Sequence, residues 1–134
     1  MAKTAKQLGI SSKERAALVK VRDGLRSGKF VHVKDVIGST KAESKPVFNM
    51  DITMNNAYAC GQAGCIGGWM AMQLGKRPGK ASDYVYDNRP MSDLFFPPDI
   101  VDFATITPAR AAKAIDSFLN TGDPNWSGRK KKAA

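Results

Sequence analysis

No stretch of this chain approaches the roughly 20 consecutive apolar residues that span a bilayer, so neither a membrane-crossing helix nor a membrane partner is expected. The opening run Met1-Ala2-Lys3-Thr4-Ala5-Lys6 has basic residues but no apolar stretch behind them. That does not fit a secretory signal and implies a cytoplasmic protein. Cysteine is scarce: Cys60 and Cys65 are too few for a disulfide scaffold and ordinary for the reducing cytosol. Histidine is scarcer still, with His32 alone. The usual catalytic signatures are missing as well. Gly61-x-x-Gly64-x-x-Gly67 lacks the spacing of a dinucleotide fingerprint, and Gly75-Lys76 has neither the upstream glycine nor the Ser/Thr of a phosphate loop. There is no Gly-x-Ser-x-Gly elbow. Asp99 and Asp102 lie beside Pro97-Pro98, where a turn accounts for them. No catalytic residue is assigned, no cofactor is expected, and a non-enzymatic role is favoured.

What the chain does have is positive charge, +9 over 134 residues, unevenly placed. Residues 1–35 hold nine Lys/Arg against Glu14, Asp23 and Asp35, a balance of +6. Arg129, Lys130, Lys131 and Lys132 add +4, while residues 36–128 balance to −1. A near-neutral body with basic ends suits a polyanion, nucleic acid foremost. At 43% hydrophobic and 25% charged residues the body is expected to fold as one domain.

The expected organisation is a flexible basic lead-in over 1–10, a single globular domain over 11–126 and a basic tail over 127–134. Ser11-Ser12-Lys13-Glu14 reads as a capping box. The helix that follows places Ala17, Leu18, Val21 and Leu25 on one face, with Lys13, Lys20, Arg22 and Arg26 opposite, and Gly28 stops it. Phe48-Asn49-Met50 reads as a short extended piece. The segment CGQAGCIGGWMAMQLG enters a helix near Gln62 or Ala63 and ends at Gly75. Its glycines, each costing about 1 kcal/mol relative to alanine, imply close packing by a neighbour. Residues 76–80 read as a turn, 81–88 as a short helix with Tyr84 and Val85 inward, and 92–96 as a capped turn ended by Pro97-Pro98. Thr107, Pro108 and Gly122 bracket a last helix with an Ala111, Ala112, Ile115, Phe118, Leu119 stripe, and Trp126 folds back. The fold class is mainly α: four to five helices around a glycine-rich central helix, with room for one short extended pair.

These residues carry a resemblance. Phe48 and Met50, Cys60-Gly61, Cys65-Ile66-Gly67-Gly68-Trp69, Leu94-Phe95-Phe96, Thr107-Pro108 with Ala111-Ala112 and Ile115, and Thr121-Gly122 with Trp126 fall in the order seen in a group of small uncharacterised bacterial and phage proteins. The chain resembles that group over roughly 15–126. It departs over 51–59, where similar proteins often place a tryptophan. The resemblance implies a shared fold and a phage or mobile-element origin, hence a bacterial cell, a phage-infected cell or a virion as the setting. It supplies no activity.

Three readings of function stay open. The leading one is an accessory protein that contacts nucleic acid through Lys13, Lys20, Arg22, Arg26, Arg129, Lys130, Lys131 and Lys132, mostly at phosphates. Tyr58, Tyr84 and Tyr86 offer stacking surfaces, but no known RNA-binding pattern surrounds them. The second is a protein-binding module, such as a virion component or an inhibitor of a host factor, docking through Phe95, Phe96 and Trp126. The third is a thiol- or metal-dependent enzyme built on Cys60, Cys65 and His32. A Cys-x4-Cys pair lies at the edge of zinc spacing, and a cysteine at a helix N-terminus would have a lowered pKa. Burial as structural cysteines is the simpler reading.

Overall fold

The computed structural model describes residues 2–32, 47–50, 54–55, 63–76, 78–98, 100 and 102–126. Its first helix, α1 (Ala5–Leu8), falls in the segment expected to be a flexible lead-in. The Thr4 hydroxyl accepts from the Gln7 N–H, and the Gln7 side chain accepts from the Thr4 N–H, which makes a capping box. Gly9 closes the turn at φ 74°. Leu8 and Ile10 are buried, and the Lys3 N–H donates to the Leu119 carbonyl at 2.7 Å. Two apolar anchors and a backbone bond thus replace the expected loose end.

The next helix, α2 (Ser12–Ser27), begins as the sequence predicts. Ser11 and Glu14 exchange capping bonds of 3.0 Å each, and Gly28 ends the helix at φ 82°. Ala17, Leu18, Val21 and Leu25 are buried. The glycine-rich helix, α3 (Ile66–Gln73), starts later than expected, because Cys65 is its N-cap and Ala63–Gly64 is a strand. Residues 66–71 are all buried. The reason for a glycine here is clear at Gly67. A Cβ on it would lie 2.7 Å from Val85 Cγ2 and 3.1 Å from Phe95 Cδ2, so two neighbouring elements touch the α3 backbone. Those neighbours are α4 (Pro78–Asp87) and α5 (Ser92–Phe95). α4 begins three residues before the expected start. Proline suits a first helical turn, whose N–H groups have no partner within the helix.

Among the described residues, four two-residue strands stand where one extended pair was expected: β1 (Val31–His32), β2 (Val47–Phe48), β3 (Met54–Asn55) and β4 (Ala63–Gly64). They form one small sheet in the order β1-β2-β4-β3, parallel except for the β3–β4 pair. Of these, β2 overlaps the extended piece read at Phe48, while two residues are too few for β3 and β4 to show a period of two. The sheet is tied to α3 by Trp69, whose Nε1 donates to the Val47 carbonyl at 3.0 Å and whose ring lies 5.0 Å from that of Phe30.

A 3-10 turn (Phe103–Thr105) leads into α6 (Pro108–Thr121), capped by Thr107 and closed by Gly122 at φ 84°. Its stripe of Ala111, Ala112, Ala114, Ile115, Phe118 and Leu119 is buried. α6 packs along α2, and α2 in turn packs on α3, which makes α3 the centre of a mainly α domain. Trp126 returns to the body as expected. Its Nε1 donates to the Asp93 carbonyl at 2.9 Å, and Arg110 donates to its carbonyl at 3.0 Å. Among the described residues no helix is long and apolar enough to cross a membrane.

Candidate nucleic-acid interface

The four basic residues expected on one face of α2 occupy two. At about 100° per residue, Arg15, Arg22 and Arg26 share an arc of about 40°, while Lys13 and Lys20 lie about 150° away. The arginine flank is bonded inward. Arg15 Nε donates to the Lys3 carbonyl at 2.9 Å. Arg22 donates to Asp23 through Nε and Nη2 and to Asp116 of α6 through Nη1 at 3.0 Å. Arg26 pairs with the other carboxylate oxygen of Asp116. Arg22 and Arg26 therefore hold α2 to α6, and their charge is largely met within the protein. Lys13 and Lys20 are exposed, and among the described residues neither is in an ion pair. Lys6 and Lys29 are exposed as well. Arg129, Lys130, Lys131 and Lys132 lie outside the described residues.

The two carboxylates of the α1–α2 limb are also engaged. Asp23 is paired with Arg22. Glu14 completes the α2 capping box and also accepts from the Tyr84 hydroxyl at 2.7 Å and from Asn88 Nδ2 at 3.2 Å. Burial works against its charged form, but hydrogen bonds from Ser11, Tyr84 and Asn88 outweigh it and hold its pKa below the ordinary value. Burial first, and then the same contact, push the Tyr84 phenol well above its usual range. Beside this cluster lies a cavity of about 470 Å³ lined by Lys76, Lys80, Asp83, Tyr84, Asp87 and Asn88. Lys76 Nζ sits 5.4 Å from the centre of the Tyr84 ring.

At Cys65 the thiol reading loses its premise. Cys65 does stand at a helix N-terminus, and its Sγ accepts from the Gly68 N–H at 3.4 Å. Burial dominates, however, and raises the thiol pKa despite the N–H groups around it. The helix end alone would lower it, but removing a thiolate from water costs more, and Cys65 stands as the buried cysteine of the simpler reading. In the sheet, Phe48 stands between His32 and Gly64, the residue before Cys65. Among the described residues no group of three or more His, Cys, Asp or Glu could hold a metal. Cys60 lies outside them. The resolved shifts at Glu14, Cys65 and Tyr84 all move away from neutrality, the opposite of what acid–base catalysis needs.

The aromatic docking surface is also rearranged. Phe95 and Trp126 are core residues, 1% and 6% exposed: Phe95 lies against the α3 backbone at Gly67, and Trp126 is anchored to the Asp93 carbonyl. Phe96 is half-buried. The ring that does reach solvent is Tyr86, 68% exposed and stacked on Phe96 at 5.1 Å and 26°. Tyr58 lies outside the described residues. Tyr86 was legible as an outward residue, because Tyr84 and Val85 inward on a helix leave it on the far side. Its backing by Phe96, the residue that ends α5, is a tertiary contact and left no trace in the sequence. No protein-family model, curated protein or solved structure matches the chain.

Proposed function

We propose that this protein is a non-enzymatic accessory protein that holds nucleic acid at its phosphates, through the Lys13 and Lys20 flank of α2 and the basic segment Arg129, Lys130, Lys131 and Lys132. The observation that carries the reading is the imbalance on the α1–α2 limb. Lys6, Lys13, Lys20 and Lys29 face solvent, while both carboxylates of that limb, Glu14 and Asp23, are engaged within the protein. Lys13 adds a specific argument. It sits in the first turn of α2, where the helix dipole disfavours a cation. Its charge there does nothing for the helix, which favours a role outside it. Lys13 and Lys20 are seven residues apart, about 10 Å along the axis, a spacing that reaches two separate phosphates.

The test is a titration of duplex DNA and of RNA over a range of salt. Each phosphate neutralised on duplex DNA adds about −0.9 to the slope of log K against log salt. Replacing Lys13 and Lys20 together by alanine is expected to flatten that slope by about 1.8. Removing residues 129–132 is expected to flatten it further. Absence of binding at low salt, or a slope indifferent to both changes, would overturn the proposal. Stability should move by less than about 0.5 kcal/mol in the double variant, since both side chains are exposed.

A further inference from the structure

We infer that Lys29 is a further phosphate-binding residue, the third of a straight row with Lys13 and Lys20, which rests on the nucleic-acid reading above and extends its site. The row depends on Gly24. Glycine inside a helix is less stable than alanine, so its place in the interior of α2 needs a reason. Gly28 turns the chain back at φ 82°, and the Gly28 and Lys29 N–H groups both donate to the Gly24 carbonyl, that of Lys29 at 3.1 Å. Folded back in this way, the Lys29 stem and the Phe30 ring cover Gly24. A Cβ on Gly24 would lie 2.6 Å from Phe30 Cε2 and 3.5 Å from Lys29 Cδ. Lys29 Nζ stands 6.0 Å from the centre of the Phe30 ring, which is itself buried. Lys29 is nevertheless exposed. Its stem has support before any partner arrives, and a side chain already placed loses less freedom on contact.

At about 100° and 1.5 Å per residue, Lys13, Lys20 and Gly24 fall within about 40° of one another, with Lys20 about 10 Å and Gly24 about 16 Å along the axis from Lys13. With its stem over Gly24, Lys29 continues the line that Lys13 and Lys20 begin. The side chains beside that line are small: Ala16 and Ser27 are exposed, and Gly24 has none. The carboxylates of α2 stand to either side of it and are engaged, Glu14 by Tyr84 and Asn88 and Asp23 by Arg22. Among the described residues of α2, this strip presents no large apolar side chain to solvent, whereas the core of a protein–protein interface is apolar. Three cations on a rigid axis, open along its length, suit a chain of phosphates.

The experiment is a salt titration of a fluorescent DNA duplex against the wild type, Lys29→Ala, Lys29→Arg, the Lys13→Ala/Lys20→Ala pair and Lys80→Ala. Lys80 is an exposed lysine of α4 whose cavity also holds Asp83 and Asp87, so it reports the loss of one charge away from the row. Lys29→Ala is expected to flatten the slope of log K against log salt by about 0.9, and by about 2.7 when combined with the pair. Lys29→Arg keeps the charge and should bind as wild type. Lys80→Ala should leave the slope unchanged. Circular dichroism checks that each variant folds. An unchanged slope in Lys29→Ala, or an equal flattening in Lys80→Ala, overturns the row. If the pair flattens the slope while Lys29→Ala does not, the phosphate reading stands and Lys29 drops out of the site. If the wild type binds no DNA at low salt, both fall.

Discussion

Along α2 the arginines and the lysines part company. Arg15, Arg22 and Arg26 point to one flank and bond to the Lys3 carbonyl ahead of α1 and to α6, while Lys13 and Lys20 point to the other and meet solvent. The chemistry of the two side chains accounts for the division. A guanidinium is a rigid fork with several donors, so Arg22 reaches Asp23 and Asp116 at once. An ammonium is a strongly hydrated point charge, well suited to exchanging water for a phosphate oxygen. The lesson concerns charge counting. The +6 of residues 1–35 is not all available to a partner, because much of the arginine share has already been used to assemble the helices.

Glu14 lies on the arc between the two flanks, and its loss has the largest expected effect. Glu14→Ala removes half of the capping box and the acceptor for Tyr84 and Asn88 together. A cost of about 2–3 kcal/mol is expected from urea unfolding. The pH dependence has a definite sign. The folded-state pKa of Glu14 is depressed, so its contribution is fully present above the unfolded value of 4.5 and is lost as pH falls through the lower folded value. Acid titration of stability should therefore be flatter in Glu14→Gln than in wild type below about pH 4.5. An equal slope in both would show that the charge of Glu14 is not what binds α2 to α4.

Asp116→Ala breaks the arginine flank more directly. Two guanidinium groups lose their shared carboxylate, which is partly exposed, so about 1–2 kcal/mol of stability is expected to go. The same change releases positive charge on that side. If the flanks differ only in what Asp116 holds, the salt slope for DNA should steepen by about 0.9, from Arg26, since Arg22 stays paired with Asp23. An unchanged slope would mean that only the lysine flank faces the partner.

How much of this was legible depended on the range of each interaction. The caps at Ser11 and Thr107 and the stops at Gly28 and Gly122 are local codes, and each stands where it was read. The same code was present at Thr4 and Gln7 but passed over, because a four-residue helix has too little periodicity to confirm it. Gly67 announced close packing without saying by what. Val85 and Phe95 lie far along the chain, and only tertiary structure brings them there. The partition of α2 is an intermediate case. Helical geometry alone separates Lys13 and Lys20 from Arg22 and Arg26, but that Asp116 on α6 would claim both arginines depends on how the helices dock.

The smallest expected effect is also the sharpest test of why arginine stands on one flank and lysine on the other. Arg22→Lys keeps the charge but removes the fork. A single ammonium cannot hold Asp23 and Asp116 in the geometry of three separate N–H bonds, so a loss of about 0.5–1 kcal/mol is expected in chemical unfolding. The reciprocal change, Lys20→Arg, puts a fork at a position that makes no ion pair among the described residues, and stability should stay within about 0.3 kcal/mol of wild type. Binding should not follow stability: each variant keeps its charge, so both are expected to bind as wild type. Equal stability in the two variants would mean that packing of the aliphatic stems, not the donor geometry, decides which residue occupies each flank.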